Sequence, residues 1–99
     1  MASVAISLNQ AIISELRTQL STIPQIESAA YRLCDGVLTV WIGIPDVTRE
    51  VRNLLFDVED RVMKEFSSLH IDFDLVTLES GRQLSEFVST AQPLMQRAA

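Results

Sequence analysis

Three polar residues, His70, Asp72 and Asp74, stand at alternate positions in the last third of the chain and form a His/Asp row. In a β-strand such residues share one face, and neighbours in the row lie about 6.6 Å apart, twice the rise per residue. One imidazole and two carboxylates are ligands that a divalent metal takes, usually with further ligands from elsewhere in the chain. The same spacing fits an exposed polar strand face on which Arg32 neutralises one aspartate.

No set of residues points to catalysis as the His/Asp row points to metal binding. Cys34 is the only cysteine, which excludes an intramolecular disulfide and a cysteine-based zinc site. No histidine lies near it in sequence, so a nucleophilic thiolate would lack a base. His70 is the only histidine, and it does not single out a Ser-His-Asp set. We therefore predict that the protein is not an enzyme and needs no cofactor.

Composition limits the class of protein further. The 99 residues suffice for one domain, residues 1–99. Hydrophobic residues make up 47% of the chain and the mean hydropathy is +0.21, which excludes disorder and favours association with a second copy or a protein partner.

Charge and hydropathy argue against nucleic-acid and membrane partners. The formal net charge is −5, Lys64 is the only lysine, and the seven arginines are scattered. Phosphate groups and anionic lipids require several cations on one surface, so we expect binding to neither. The N-terminus lacks a basic region, and no apolar run approaches the roughly 20 residues that cross a bilayer. These features predict a cytoplasmic protein.

Apolar residues at helical spacing predict three helices. The first, over residues 8–21, carries Leu8, Ile12, Leu16 and Leu20. The second, over residues 47–67 with Asp46 or Thr48 as its cap, carries Val47, Val51, Leu54, Leu55, Val58, Val62 and Phe66. A short closing helix, over residues 84–91, carries Leu84, Phe87, Val88 and Ala91. Residues 94–99 are expected to be a frayed tail.

Asp35-Gly36 predicts a β-hairpin between strands at residues 26–33 and 37–44, because a type I′ turn needs φ > 0 at both central positions. Counting outward from the turn pairs Leu33 with Leu38, Tyr31 with Val40, and Ala29 with Ile42, which defines an apolar, buried face. The opposite face receives Arg32 with Thr39, Ala30 with Trp41, and Ser28 with Gly43. A slip of one residue would exchange the two faces, so the pattern fixes the register.

Residues 69–78 predict a third strand, in which apolar residues alternate with the His/Asp row. The element order α-β-β-α-β-α, with the third strand beside the first, gives an α+β fold, a variant of the ferredoxin-like or split-βαβ type with one strand missing. Its sheet would be three-stranded and antiparallel, in the order 2-1-3, with helices mainly on one face. The residues expected to be most buried are Tyr31, Val40, Val58 and Phe73.

Parts of this pattern resemble known proteins. Ile23-Pro24, residues 30–33 and 37–44, the second helix and residues 70–77 are similar to the cytoplasmic domain of cation diffusion facilitators. That resemblance implies the same α-β-β-α-β order, a homodimer, and metal ligands on and after the last strand, where only the His/Asp row matches. The stretches 40–42, 50–52 and 71–73, with Glu59, resemble small bacterial proteins of unassigned function, which implies no activity.

Trp41 is the apolar residue that points most directly to an interaction. The hairpin register places it away from the helices, beside Ala30 and near Val37, and tryptophan is enriched at protein interfaces. Phe56 and Met63 lie off the centre of the second helix's stripe and would add a contact. We predict a non-enzymatic interaction domain that forms a homodimer, or binds a protein partner, through this open face. The alternatives are that the closing helix covers Trp41, or that the His/Asp row senses a divalent metal or small ligand.

Overall fold

The computed structural model describes the backbone of residues 2–67, 70–79, 82–88 and 90–96, and the side chains of these residues from residue 10 onward. The elements, in chain order, are helix α1 (Ala2–Ser21), strands β1 (Ser28–Cys34) and β2 (Val37–Ile44), helix α2 (Arg49–Glu65), strand β3 (His70–Thr77), a 3₁₀ turn (Leu84–Glu86) and strand β4 (Gln92–Gln96). The strands form one open, mixed sheet in the order β3-β2-β1-β4. The predicted α+β class is confirmed.

The β1–β2 hairpin has the predicted turn and register. Asp35 has φ 52° and Gly36 has φ 77°, as a type I′ turn requires. Each predicted pair is present, from Ser28 opposite Gly43 at the open end to Leu33 opposite Leu38 near the turn. Because the register is local and alternation sorts the side chains, the two faces of β2 follow directly from the sequence.

The core lies between the helices and one face of the sheet. On β2 the residues that point into it are Leu38, Val40, Ile42 and Ile44, all buried. α1 contributes Ile12, Leu16 and Leu20, and α2 contributes Val51, Leu55, Val58 and Val62. The hydroxyl of Thr48 accepts a hydrogen bond from the Val51 N–H (3.2 Å), so of the two predicted caps the structure selects Thr48.

The predicted position of the third strand is wrong. β3 lies beside β2, not beside β1, and the two strands are parallel from Val37 opposite His70 to Ile44 opposite Thr77. The helical connection through α2 lets β3 run in the same direction as β2 at the neighbouring position. The sheet is therefore four-stranded and mixed rather than three-stranded and antiparallel.

The C-terminal part of the chain also differs from the prediction. In place of the predicted closing helix, the described part of residues 84–91 contains one 3₁₀ turn, Leu84–Glu86, and residues 92–96 form β4, antiparallel to β1. Pro93 argued against a strand in the sequence, because proline disfavours a central strand. It is tolerated at an edge and near a bulge, and in β4 the register shifts beside Ala29 and Ala30. The prediction of a frayed tail is wrong for residues 94–96, and residues 97–99 lie outside the described part.

Two of the four residues expected to be most buried are only half-buried. Val40 and Val58 are buried, whereas Tyr31 and Phe73 pack against the core with part of each ring exposed. Phe73 is on β3, at the edge of the sheet, where one flank lacks a neighbouring strand. Leu33, assigned to the buried face, is 39% exposed because β4 pairs with β1 only as far as Tyr31.

Candidate functional site

Trp41 lies at the centre of the outer face, which we define as the face of the sheet opposite the helices. Its cross-strand neighbours are Ala30 on β1 and Asp74 on β3. Arg32, also on β1, holds its guanidinium carbon 5.5 Å from the centre of the indole, and its Nη1 donates a hydrogen bond to the Thr90 hydroxyl (3.3 Å). A cation–π contact at a solvent-accessible site contributes about 0.5–1 kcal/mol. Trp41 is thus half-buried, with a cation stacked on it.

The chain between β3 and β4 crosses part of this outer face. These strands occupy opposite edges of the sheet, so the crossing segment (residues 78–79, 82–88 and 90–91) must pass over β2 and β1. Leu78 and Leu84 are buried but do not belong to the main core cluster. A Cβ atom added at Gly43 would lie 2.5 Å from Leu78 Cδ1 and 2.9 Å from Ser28 Oγ. The segment therefore packs on the outer face at the Gly43 end of β2.

Contacts within the crossing segment stabilise it, in addition to its packing on the sheet. The Gln83 N–H donates to a Glu86 carboxylate oxygen (2.6 Å), and this bond is the main cause of the lowered pKa of Glu86. Arg82 forms an ion pair with Glu86 (3.0 Å) and stacks on Phe87, 5.3 Å from the ring centre. Between the segment and the ends of β1 and β4 an open groove of about 1290 Å³ remains, and Ala30 is among the residues that line it.

The sequence allows two covers for the outer face, a partner protein or the chain's own closing helix. In the structure the chain covers only one end of this face. The residues expected to form a closing helix do cross the sheet, and they cover its Gly43 end. At the opposite end, the side chains of Val37, Thr39 and Trp41 are half-buried. Ala30 is also half-buried, between Trp41 and the groove. The open part of the outer face is thus a strip that runs from Val37 to Trp41 and is flanked by β3.

The His/Asp row lies along this strip, on β3. His70 Nε2 is 2.9 Å from Asp72 Oδ1, and both side chains are more than half exposed. Within the described part of the chain, Asp74 has no ion pair, and Arg32 contacts Trp41 and Thr90 instead of either aspartate. Among the same residues, no three His, Cys, Asp or Glu side chains are placed to hold one metal ion. The structure thus brings together two of the three predicted ligands.

The predicted second contact, on α2, consists of two dissimilar residues. Phe56 is 59% exposed, whereas Met63 is half-buried and packs against the core. Glu59, between them, approaches β3: its carboxyl group lies at the Phe73 backbone N–H, with Asp72 nearby. Burial is the main cause of the raised pKa of Glu59, and the negative charge of Asp72 adds to it.

Cys34 ends β1 at the turn and is exposed. Its thiol sulfur is 3.7 Å from a carboxylate oxygen of Asp35. A nucleophilic thiol needs a neighbouring cation or histidine, and this contact supplies neither.

Sequence reasoning missed Leu78 and Thr90 as residues that bring the crossing segment onto the outer face, and it placed Leu84 in a closing helix rather than in a 3₁₀ turn. A signal for this packing was present at Gly43, because a glycine inside a strand often marks the close approach of another chain segment. The two contacts of Arg32, to Trp41 and Thr90, depend on the position of that segment and had no local signal.

Comparison with known proteins gives no family assignment. No protein-family model matches the chain, and no curated protein matches it. Neither helix in the described part of the chain has both the length and the apolar character needed to cross a membrane.

Proposed function

We propose that this protein is a non-enzymatic interaction domain that forms a homodimer through the open strip of its outer face, centred on Trp41. The observation that carries the proposal is the distribution of charge around the indole. Arg32, on β1, lies on one side of Trp41, and Asp74, on β3, lies on the other side without an ion pair in the described chain.

This arrangement is complementary to itself. In a dimer with two-fold symmetry, each residue that contacts a partner residue receives the same contact in return. If two outer faces meet with the two-fold axis parallel to β2, β1 of one copy lies over β3 of the other. The Arg32 guanidinium, which already reaches the level of Trp41, would then meet Asp74 of the second copy, and the two indoles would meet at the axis.

The perpendicular orientation is disfavoured by the same charges. With the axis across the strands, β1 lies over β1, so Arg32 would approach a second Arg32 and Asp74 a second Asp74. Both orientations keep the strands of the two sheets aligned, the packing that facing sheets commonly adopt. The charges therefore decide between them and favour one dimer.

The size of the strip indicates weak association. Five residues along a strand span about 17 Å, and three strands with their side chains are about 14 Å wide, which gives roughly 240 Å² in plan. A standard interface buries about 800 Å² on each partner. We therefore expect a dissociation constant in the micromolar range or weaker, with Trp41 as the main contributor.

Two further features support association rather than catalysis. Hydrophobic residues make up 47% of the chain, and the core lies between two helices and one face of the sheet. Trp41 lies on the other face and is only half-buried. The resemblance to the cytoplasmic domain of cation diffusion facilitators also implies a homodimer.

Light scattering across a range from about 20 μM to 1 mM tests the proposal, since a weak dimer dissociates at the lower end. The wild type should approach twice the 11.1 kDa mass of the chain, and Trp41→Ser should remain near it. Phe56→Ser is the matched control, because it removes a more exposed aromatic residue from the helical side. A wild type that stays monomeric throughout, or a Phe56→Ser variant that loses association as fully as Trp41→Ser, would contradict the proposal.

A further inference from the structure

The edge of β3 that faces away from β2 is a free strand edge. β3 pairs only with β2 in the four-stranded sheet. His70 donates its N–H to the Gly36 carbonyl (3.4 Å), and Leu78 donates to the Ile44 carbonyl (2.8 Å), so even-numbered residues bond toward β2. Backbone groups alternate in direction along a strand. The odd-numbered residues therefore direct their N–H and C=O groups away from the sheet: Ile71, Phe73, Leu75 and Thr77.

The two edges of the sheet differ in how they are protected. β4 at the opposite edge is short, contains Pro93, and has a register shift beside Ala29, all of which discourage the addition of a strand. β3 is longer, contains no proline and pairs regularly with β2. Its partial protection is the carboxyl group of Glu59 at the Phe73 N–H. No described residue bonds to the outward N–H groups of Leu75 and Thr77.

We propose that the free edge of β3 binds an extended segment of a partner protein as an additional strand, and that this segment alternates apolar and basic residues. On the helical side of the edge, Phe73 and Leu75 are half-buried. Phe56 is 59% exposed and lies one helical turn from Glu59, on the same flank of α2. On the outer side, the exposed carboxylates of Asp72 and Asp74 face the position of the incoming strand's neighbouring side chains.

Charge disfavours a second copy of this chain in the registers that overlap two β3 strands most fully. A symmetric antiparallel β3–β3 pair centred on residue 72 or 74 places an aspartate opposite itself. A pair centred on residue 73 places Asp72 opposite Asp74. Like charges directly opposite each other destabilise a strand pair, whereas opposite charges stabilise it by about 0.2–1 kcal/mol. A basic strand satisfies the same positions, and the net charge of −5 attracts it at long range.

The experiment uses an eight-residue peptide of alternating valine and lysine, capped at both ends, and the ¹⁵N-labelled chain. Binding should slow amide hydrogen exchange at Phe73, Leu75 and Thr77, while the even-numbered amides, already bonded to β2, change little. Asp72→Asn/Asp74→Asn should weaken binding about tenfold, the effect of two lost charge pairs. The control Asp57→Asn/Asp60→Asn, which removes two exposed carboxylates from α2, should change it less than about twofold.

A peptide of the same composition with its valines and lysines in two blocks separates strand addition from simple charge attraction. It cannot place apolar and basic side chains on opposite faces of one strand, so it should bind at least tenfold more weakly. Equal binding of both peptides, unchanged exchange at the odd-numbered amides, or an equal loss in the two double variants would overturn the proposal. The same measurements on Trp41→Ser, which disrupts the outer-face dimer without a change of charge, should again show slowed exchange and the preference for the alternating peptide, so failure of one proposal does not imply failure of the other.

Discussion

Substitution of Gly43 by alanine tests whether the crossing segment packs on the outer face as described. The added methyl group would lie 2.5 Å from Leu78 Cδ1, 3.2 Å from Leu78 Cγ and 2.9 Å from Ser28 Oγ. Leu78 is buried, so it cannot move away without losing contacts. Overpacking of this kind costs about 1–3 kcal/mol. For a domain of this size, each kcal/mol lowers the melting temperature by about 4–8 °C.

A double-mutant cycle assigns the cost to its cause. Leu78→Ala alone should destabilise by about 2–5 kcal/mol, because it leaves a cavity. Gly43→Ala/Leu78→Ala should be less destabilised than the sum of the single variants by about 1 kcal/mol or more, since the new methyl occupies the vacated space. Gly36→Ala/Leu78→Ala should be additive, because no atom lies within 4 Å of a Cβ at Gly36. Urea unfolding followed by circular dichroism measures all five variants. An unchanged stability for Gly43→Ala, or additivity in the first cycle, would refute the packing.

Three other predictions concern the turn, the edge strand and a carboxyl group. Gly36→Val should destabilise by about 1–2 kcal/mol, since a β-branched residue is strained at φ 77°, and an unchanged melting temperature would count against the turn. Phe73→Ala should cost about 1–3 kcal/mol, less than a fully buried ring, and a loss above about 4 kcal/mol would mean that the ring is enclosed. Glu59 has a raised pKa in the folded state, so its ionisation opposes folding as pH rises above about 4.5. Glu59→Gln should therefore stabilise slightly at pH 7, by less than about 0.5 kcal/mol, and a larger gain at pH 4 than at pH 7 would contradict this.

The sequence was most informative where structure is local. The Asp35-Gly36 turn and the alternation on each side of it determine the register of the hairpin, and with it the face that carries Trp41. The apolar stripe of α2 likewise predicts its buried residues, although the helix begins at Arg49 rather than at residue 47. α1 begins at Ala2, before the stripe that starts at residue 8.

Strand order could not be predicted in the same way. The pattern of β3 shows which residues face the helices, but alternation is identical whether the strand lies beside β1 or β2. β4 was missed because Pro93 is a poor strand signal, and the spacing of Leu84, Phe87 and Val88 mimics a helix. In the structure only Leu84 of these three is buried, and Phe87 is 50% exposed.

The same limits apply to the candidate site. The placement of Trp41 on the outer face follows from the hairpin, as does its proximity to Ala30. Its proximity to Asp74 depends on the parallel pairing of β2 and β3, which the predicted sheet lacked. The expected ion pair between Arg32 and an aspartate is absent from the described chain, because Arg32 lies over the indole and bonds to Thr90. The charge pattern that supports the dimer thus became visible only with the strand order.

A mixture of two charge-reversal variants tests the proposed dimer most directly. Arg32→Glu alone should not associate, because each contact would oppose glutamate to aspartate, and Asp74→Arg alone should fail because each contact would oppose two arginines. In the heterodimer of the two variants both contacts pair opposite charges. Sedimentation of an equimolar mixture should therefore show association within about threefold of the wild-type dissociation constant, with each variant alone at least tenfold weaker. Asp57→Arg balances the charge of Arg32→Glu in the same way but leaves the outer face intact, so in that control mixture only Asp57→Arg should associate, with itself, and Arg32→Glu should stay monomeric. Equal recruitment of Arg32→Glu into dimers in both mixtures, or in neither while the wild type dimerises, would contradict the outer-face dimer.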